Sequence, residues 1–242
     1  MISKKQCISL MILATLFGVS ATAASALERR MDKEIPINEL FKEIYQADIS
    51  SNNLNAVLWM PFEYWKASLS HDKQVSPEVK KLLQSELGSV FILAVVQAES
   101  SPQTNLNFNF FPEETVRRGL KVIHVSRDGQ LRTLKLVEKN SNFMNVLKET
   151  IRPMLSQIAG QMGDNFWLFV YSDIDSSGRR LVSPYEPGEL RVSLGDRRGL
   201  QKSKIKFEFP FNSLFVPRMC PNGKPAHVSW KYCPWDGTRL SN

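Results

Sequence analysis

The chain has 242 residues, 43% of them hydrophobic, with 31 basic and 24 acidic side chains and a formal charge of +7. The apolar share supports a globular body and excludes a chain that is disordered throughout. The length suits one sizeable core, or one domain with a small appendage. The charges mostly alternate in sign, as on an ordinary solvated surface, and the modest basic excess also suits anionic lipid headgroups or cell-wall polymers.

Lys4 and Lys5 open the chain with positive charge, Ile8 to Val19 is an apolar run, and two small-x-small triplets follow, Ala21-Thr22-Ala23 and Ala24-Ser25-Ala26. This is the three-part pattern of a cleavable secretory signal peptide, with cleavage after Ala26 preferred to cleavage after Ala23. The run is shorter than the ~18–20 residues a spanning helix needs, and Cys7 lies before it, where lipid attachment would not fall. The expected organisation is a signal peptide over 1–26, an α+β domain over 27–216 and a small tail over 217–242. The expected location is periplasmic or secreted, with no membrane span in the mature chain and no nucleic-acid partner. Only Cys220 and Cys233 remain after cleavage. Two cysteines in one short segment of an oxidising compartment suggest one disulfide.

Asn38 is placed to cap a short helix carrying Leu40, Phe41 and Ile44. Ala56 to Met60 reads as a buried strand ended by Pro61, with Phe62, Tyr64, Trp65 and Leu69 on a following helix. Ser76-Pro77-Glu78 is a helix start, with an apolar stripe of Val79, Leu82, Leu83 and Leu87 and a stop at Gly88. Val90 to Val96 reads as a central strand buried on both faces. Ser100 to Asn109 is polar and reads as a surface loop. Leu120–Val125 and Leu131–Val137 flank Arg127-Asp128-Gly129 and predict a β-hairpin. Phe143, Leu147, Ile151, Met154, Ile158 and Met162 recur at helical spacing, with Pro153 inside the pattern and Gly163 at its end. Phe166–Tyr171, Leu190–Leu194 and Ile205–Phe209 read as strands; in the last, Lys204, Lys206 and Glu208 alternate with the apolar side chains. Together these predict an α+β fold around a mixed or mostly antiparallel sheet.

The chain lacks phosphate-loop, dinucleotide, nucleophile-elbow and zinc-protease motifs. His71, His124 and His227 stand far apart, and no cofactor is expected. In SDIDSSGRRL, Asp173, Asp175 and Ser177 have the alternate spacing of a calcium loop, followed by Gly178. Pro184 then stands where the bidentate glutamate belongs, and Arg179 and Arg180 bring positive charge, so a structural turn is preferred. Arg197, Arg198, Lys202, Lys204 and Lys206 form the densest basic stretch and read as a solvated loop and edge strand. Trp59 and Trp65 are candidates for a binding groove, although such clusters are usually core.

The tail reads CPNGKPAHVSWKYCPWDGTRL, from Cys220 to Leu240. It resembles the bacterial zinc-ribbon family with two Cys-Pro-x-Cys-Gly knuckles, over 21 residues only. Gly223 and Asp236 stand where the second cysteine of each knuckle would be. The resemblance implies that Cys220 and Cys233 lie close together around the place of the lost metal. A disulfide is then the preferred outcome, stabilising by ~3 kcal/mol in the chain-entropy model. Zinc on Cys220, His227, Cys233 and Asp236, or free thiols, are the alternatives. The expected function is a non-enzymatic envelope protein binding another macromolecule, with Trp235 as a further contact candidate. An envelope enzyme, for instance a hydrolase, and a metal-binding module are the alternatives.

Overall fold

The apolar runs at 56–60, 90–96 and 166–171 form the interior of one sheet. The computed structural model describes residues 27–50, 53–71, 75–101, 104–138, 141–198 and 200–240; the expected signal peptide lies outside them. In chain order the elements are α1 (Ile37–Ile44), β1 (Tyr45–Ile49), β2 (Asn53–Met60), α2 (Phe62–His71), α3 (Pro77–Leu87), β3 (Val90–Ser101) and β4 (Thr104–Phe110). Then come α4 (Glu113–Gly119), β5 (Lys121–Ser126), β6 (Leu131–Thr133), α5 (Ser141–Ala159), β7 (Trp167–Ser172), β8 (Gly188–Gly195), β9 (Gln201–Phe209), β10 (Arg218–Met219) and β11 (Pro225–Ala226).

The fold is α+β, and every strand pairing described is antiparallel. In the first sheet β3 is central: β2 lies along one side, and β7 and β4 pair with successive halves of the other. The second sheet runs β6-β5-β8-β9. Trp59 joins the two. Its ring lies 6.1 Å from Phe91 on the neighbouring strand and 5.8 and 5.5 Å from Phe207 and Phe209 of β9. Trp59 is 0% exposed and Trp65 7%, so both belong to the core and neither forms a binding groove. Burial of β2 and β3 on both faces explains their unbroken apolar runs. Gln97 Nε2 donates to the Gly195 carbonyl at 2.6 Å, and Ser203 Oγ to Asp48 at 2.7 Å, tying the sheets together.

Several boundaries differ from the sequence expectation. Pro36, not Asn38, holds the N-cap position of α1; its carbonyl accepts from Leu40 N at 3.0 Å. Residues 104–110 form strand β4 where a loop was expected. An edge strand tolerates polar side chains because one flank needs no protein partner. The alternation of Asn105, Asn107 and Asn109 with Leu106, Phe108 and Phe110 was the available signal. Helix α4 carried its own signals, Glu113 and Glu114 in the first turn and Arg117 and Arg118 in the last, with a Glu113–Arg117 contact at 2.6 Å. Helix α5 stops at Ala159 because Gly160 takes φ 54°, the left-handed region glycine favours. Gly163 serves close packing instead: a Cβ there would lie 2.3 Å from the Leu155 backbone. The side chains of Val79, Leu82, Met154, Ile158 and Met162 lie outside the described residues. The hairpin turn at Gly129 forms as expected, but β6 is short. From Leu134 the chain crosses towards the first sheet, where Leu136 pairs with Tyr171.

Candidate functional site

Five separate segments meet at a cleft of about 1280 Å³. The N-terminal segment supplies Arg29, Arg30 and Asp32, and α2 supplies Phe62, Glu63 and Lys66. The β5 hairpin supplies His124 and Arg127, the β7–β8 loop Arg179, Arg180 and Tyr185, and β9 ends in Phe209. The second sheet fixes the β5 and β9 contributions in register with β8. Helix α2 presents Glu63 where Pro61 turns the chain out of β2.

The cleft wall carries an ionic group, Glu63 and Arg180, with Asp173 behind it. Asp173 is 1% exposed and Glu63 2%. Arg180 Nε and Nη2 donate to Asp173 Oδ2 at 2.9 and 2.7 Å, and Arg180 Nη1 donates to Glu63 Oε1. Val182 N–H donates to Asp173 Oδ1 at 2.9 Å. Burial pushes the Asp173 carboxyl above its usual range, against the pull of Arg180 and the Val182 amide. The two carboxylates raise the Arg180 guanidinium further despite its burial. Glu63 Oε2 is buried and has no hydrogen-bond partner among the described residues.

At the other wall, His124 stacks on Phe209 with centroids 6.0 Å apart, and burial, followed by Arg132, lowers its pKa. The imidazole is therefore neutral at pH 7. Tyr185 is covered on one face by Arg29, 4.2 Å from the ring centroid. Burial, with Glu63 and Asp32 nearby, pushes its hydroxyl up to about 12.

The calcium reading of Asp173, Asp175 and Ser177 is not supported. Asp173 faces Arg180, whereas Asp175 closes its own turn, accepting from Ser177 N at 2.8 Å, Ser177 Oγ at 2.6 Å and Arg179 N at 3.0 Å. The lone pairs a cation would need are already occupied, and Gly178 takes φ 78° to complete the turn. In the basic stretch, Arg197 reaches Glu99 at 3.0 Å, Arg198 meets Asp196 at 3.4 Å and Lys206 meets Glu208 and Glu189, a solvated network. The Lys202 side chain lies outside the described residues.

The tail folds as two turns around its own small core of Cys220, Ala226, Cys233 and Leu240. In the first, Gly223 N–H donates to the Cys220 carbonyl at 2.9 Å; in the second, Gly237 N–H donates to the Cys233 carbonyl at 2.9 Å. Gly223 and Gly237 take φ 76° and 75°, which is why each turn needs its glycine. The two cysteines approach to 2.8 Å and are unbonded. Burial, the Cys233 side chain and Asp236 push the Cys220 thiol up to about 11. The zinc set is not assembled. His227 Nδ1 lies 2.8 Å from Ser229 Oγ, and among the described residues no three His, Cys, Asp or Glu side chains gather to hold a metal.

Outside this small core the tail exposes an aromatic surface. Trp230 and Trp235 pack edge to face with centroids 6.1 Å apart, at 38% and 49% exposure. Lys224 Nζ lies 5.1 Å from the Trp235 ring, His227 flanks Trp230, and Tyr232 is exposed nearby. Among the described residues no helix is long and apolar enough to cross a membrane. Comparison with protein-family models, with curated proteins and with solved structures gives no match for the chain.

Proposed function

We propose that the protein is an exported, non-enzymatic binding protein of the cell envelope that docks an acidic envelope macromolecule on its aromatic tail. The observation that carries this reading is the exposed Trp230–Trp235 pair beside Lys224. Exposed tryptophans in contact with each other and with a cation resemble the anchors of binding surfaces. From Arg218 to Leu240 the basic side chains are Arg218, Lys224, Lys231 and Arg239, and the one acid is Asp236. That balance favours an acidic partner. The signal-peptide pattern of residues 1–26 supports an encounter outside the cytoplasm.

A disulfide between Cys220 and Cys233 closes the tail in this reading. The two thiols sit side by side in its core, and an oxidising compartment joins such a pair. The test is co-sedimentation of the protein lacking residues 1–26 with washed envelopes. Trp230→Ala/Trp235→Ala is expected to abolish pelleting while leaving the melting temperature unchanged. Equal pelleting of the two proteins would overturn the reading.

A further inference from the structure

We propose that the cleft between α2, the β5 hairpin and the β7–β8 loop binds a small acidic sugar. Glu63, Arg180 and Tyr185 hold its hydroxyls, and Arg127 and Arg29 hold its acidic group. This site is separate from the tail surface and does not depend on the docking reading.

The first ground is a set of unmatched polar groups in one cleft. A buried carboxylate oxygen without a donor costs about 1–3 kcal/mol, yet Glu63 Oε2 has none among the described residues. Arg180 has five N–H donors, of which Nε, Nη1 and Nη2 each use one on Asp173 or Glu63. The remaining two meet no described residue and face the part-exposed edge of the guanidinium, where a ligand can reach them. The Tyr185 hydroxyl makes no hydrogen bond to the described residues and keeps its proton at neutral pH. The neutral His124 ring likewise makes none. An acceptor, donors and two groups able to do either are the complement of neighbouring hydroxyls, each of which donates and accepts at once.

The second ground is the walls. Phe62 and the His124 ring, backed by the buried Phe209, offer flat surface to the C–H face of a sugar ring. The cleft volume exceeds what one sugar needs. The third ground is charge. Arg29, Arg30 and Arg127 line the cleft and form no ion pair with a described carboxylate. Arg30 spends Nε and Nη1 on the Phe215 and Glu34 carbonyls, which leaves Arg127, and Arg29 beside Tyr185, to match a phosphate or carboxylate substituent.

The test is calorimetric titration of the protein lacking residues 1–26 with glucose 6-phosphate, glucuronate, glucose and inorganic phosphate. The acidic sugars are expected to bind at least about tenfold more tightly than glucose or phosphate alone, the scale of one charge-assisted contact. Arg127→Ala, at an exposed and unpaired position, is expected to lower that affinity about tenfold without moving the melting temperature. Tyr185→Phe is expected to weaken the sugars and leave phosphate unaffected. The proposal is overturned if neither acidic sugar binds below ~10 mM, a weak-affinity floor. It is equally overturned if phosphate matches glucose 6-phosphate, or if Arg127→Ala changes nothing. In every case Trp230→Ala/Trp235→Ala leaves the titration unchanged, so the cleft and the tail are judged separately.

Discussion

Arg180→Met removes the cation that, among the described residues, serves both Glu63 and Asp173. Three hydrogen bonds are lost, two from Asp173 and one from Glu63. Both carboxyls stay buried, whereas the Arg180 side chain is 29% exposed. Breaking a buried pair from one side costs about 3–5 kcal/mol, and the partial exposure of Arg180 places the value near ~3 kcal/mol at pH 7. The pH dependence gives a sharper check. The folded-state pKa of Asp173 is already raised by burial, so its proton stabilises the fold below the unfolded value and that stabilisation is lost as pH rises through the folded value. Removing Arg180 takes away the main opposing attraction and raises the folded value further. The penalty therefore shrinks as pH falls through the raised folded value of Asp173. Urea unfolding of wild type and variant, at neutral and acid pH, measures both. A penalty below about 1 kcal/mol at pH 7, within the range of a solvent-exposed pair, would refute the reasoning. So would a penalty that does not fall with pH.

Trp59→Ala empties the junction of the two sheets and is expected to cost about 3–5 kcal/mol by thermal or urea unfolding. A loss under 1 kcal/mol would show that the aromatic junction does not hold the sheets. The Tyr185 hydroxyl, raised to about 12 chiefly by burial, adds stability that is present below its unfolded value and is lost as pH rises through about 12. In an ultraviolet difference titration, Tyr185→Phe should remove a component near 12; loss of a component at the ordinary tyrosine value would contradict this. For the tail, unreduced peptide mass spectrometry of exported protein should find Cys220 joined to Cys233, and Cys220→Ser should lower stability by ~3 kcal/mol. Both thiols free in exported protein would sink the disulfide.

The strands with unbroken apolar runs and the helix begun by Ser76-Pro77 were legible because their signals are local. Strand β4 was missed because its asparagines resemble turn residues, and only their alternation with Leu106, Phe108 and Phe110 carried the period of two. The cleft was illegible for a different reason: Glu63 and Arg180 are 117 residues apart, and no spacing rule joins them. Arg179 and Arg180 were visible as charges that weaken a calcium loop, and the same positive charge makes Arg180 the partner of Asp173. In the tail the two glycines and paired prolines were readable as knuckles. The contact of Trp230 with Trp235 depends on how those knuckles pack.

The central claim is that the tail is the docking surface. A photoreactive amino acid placed at Trp235 in living cells tests it most directly, with the still more exposed body position Leu131 as control. The account predicts a discrete higher-mass adduct from position 235 and none from position 131. Absence of an adduct at 235, or the same adduct at both positions, would contradict it.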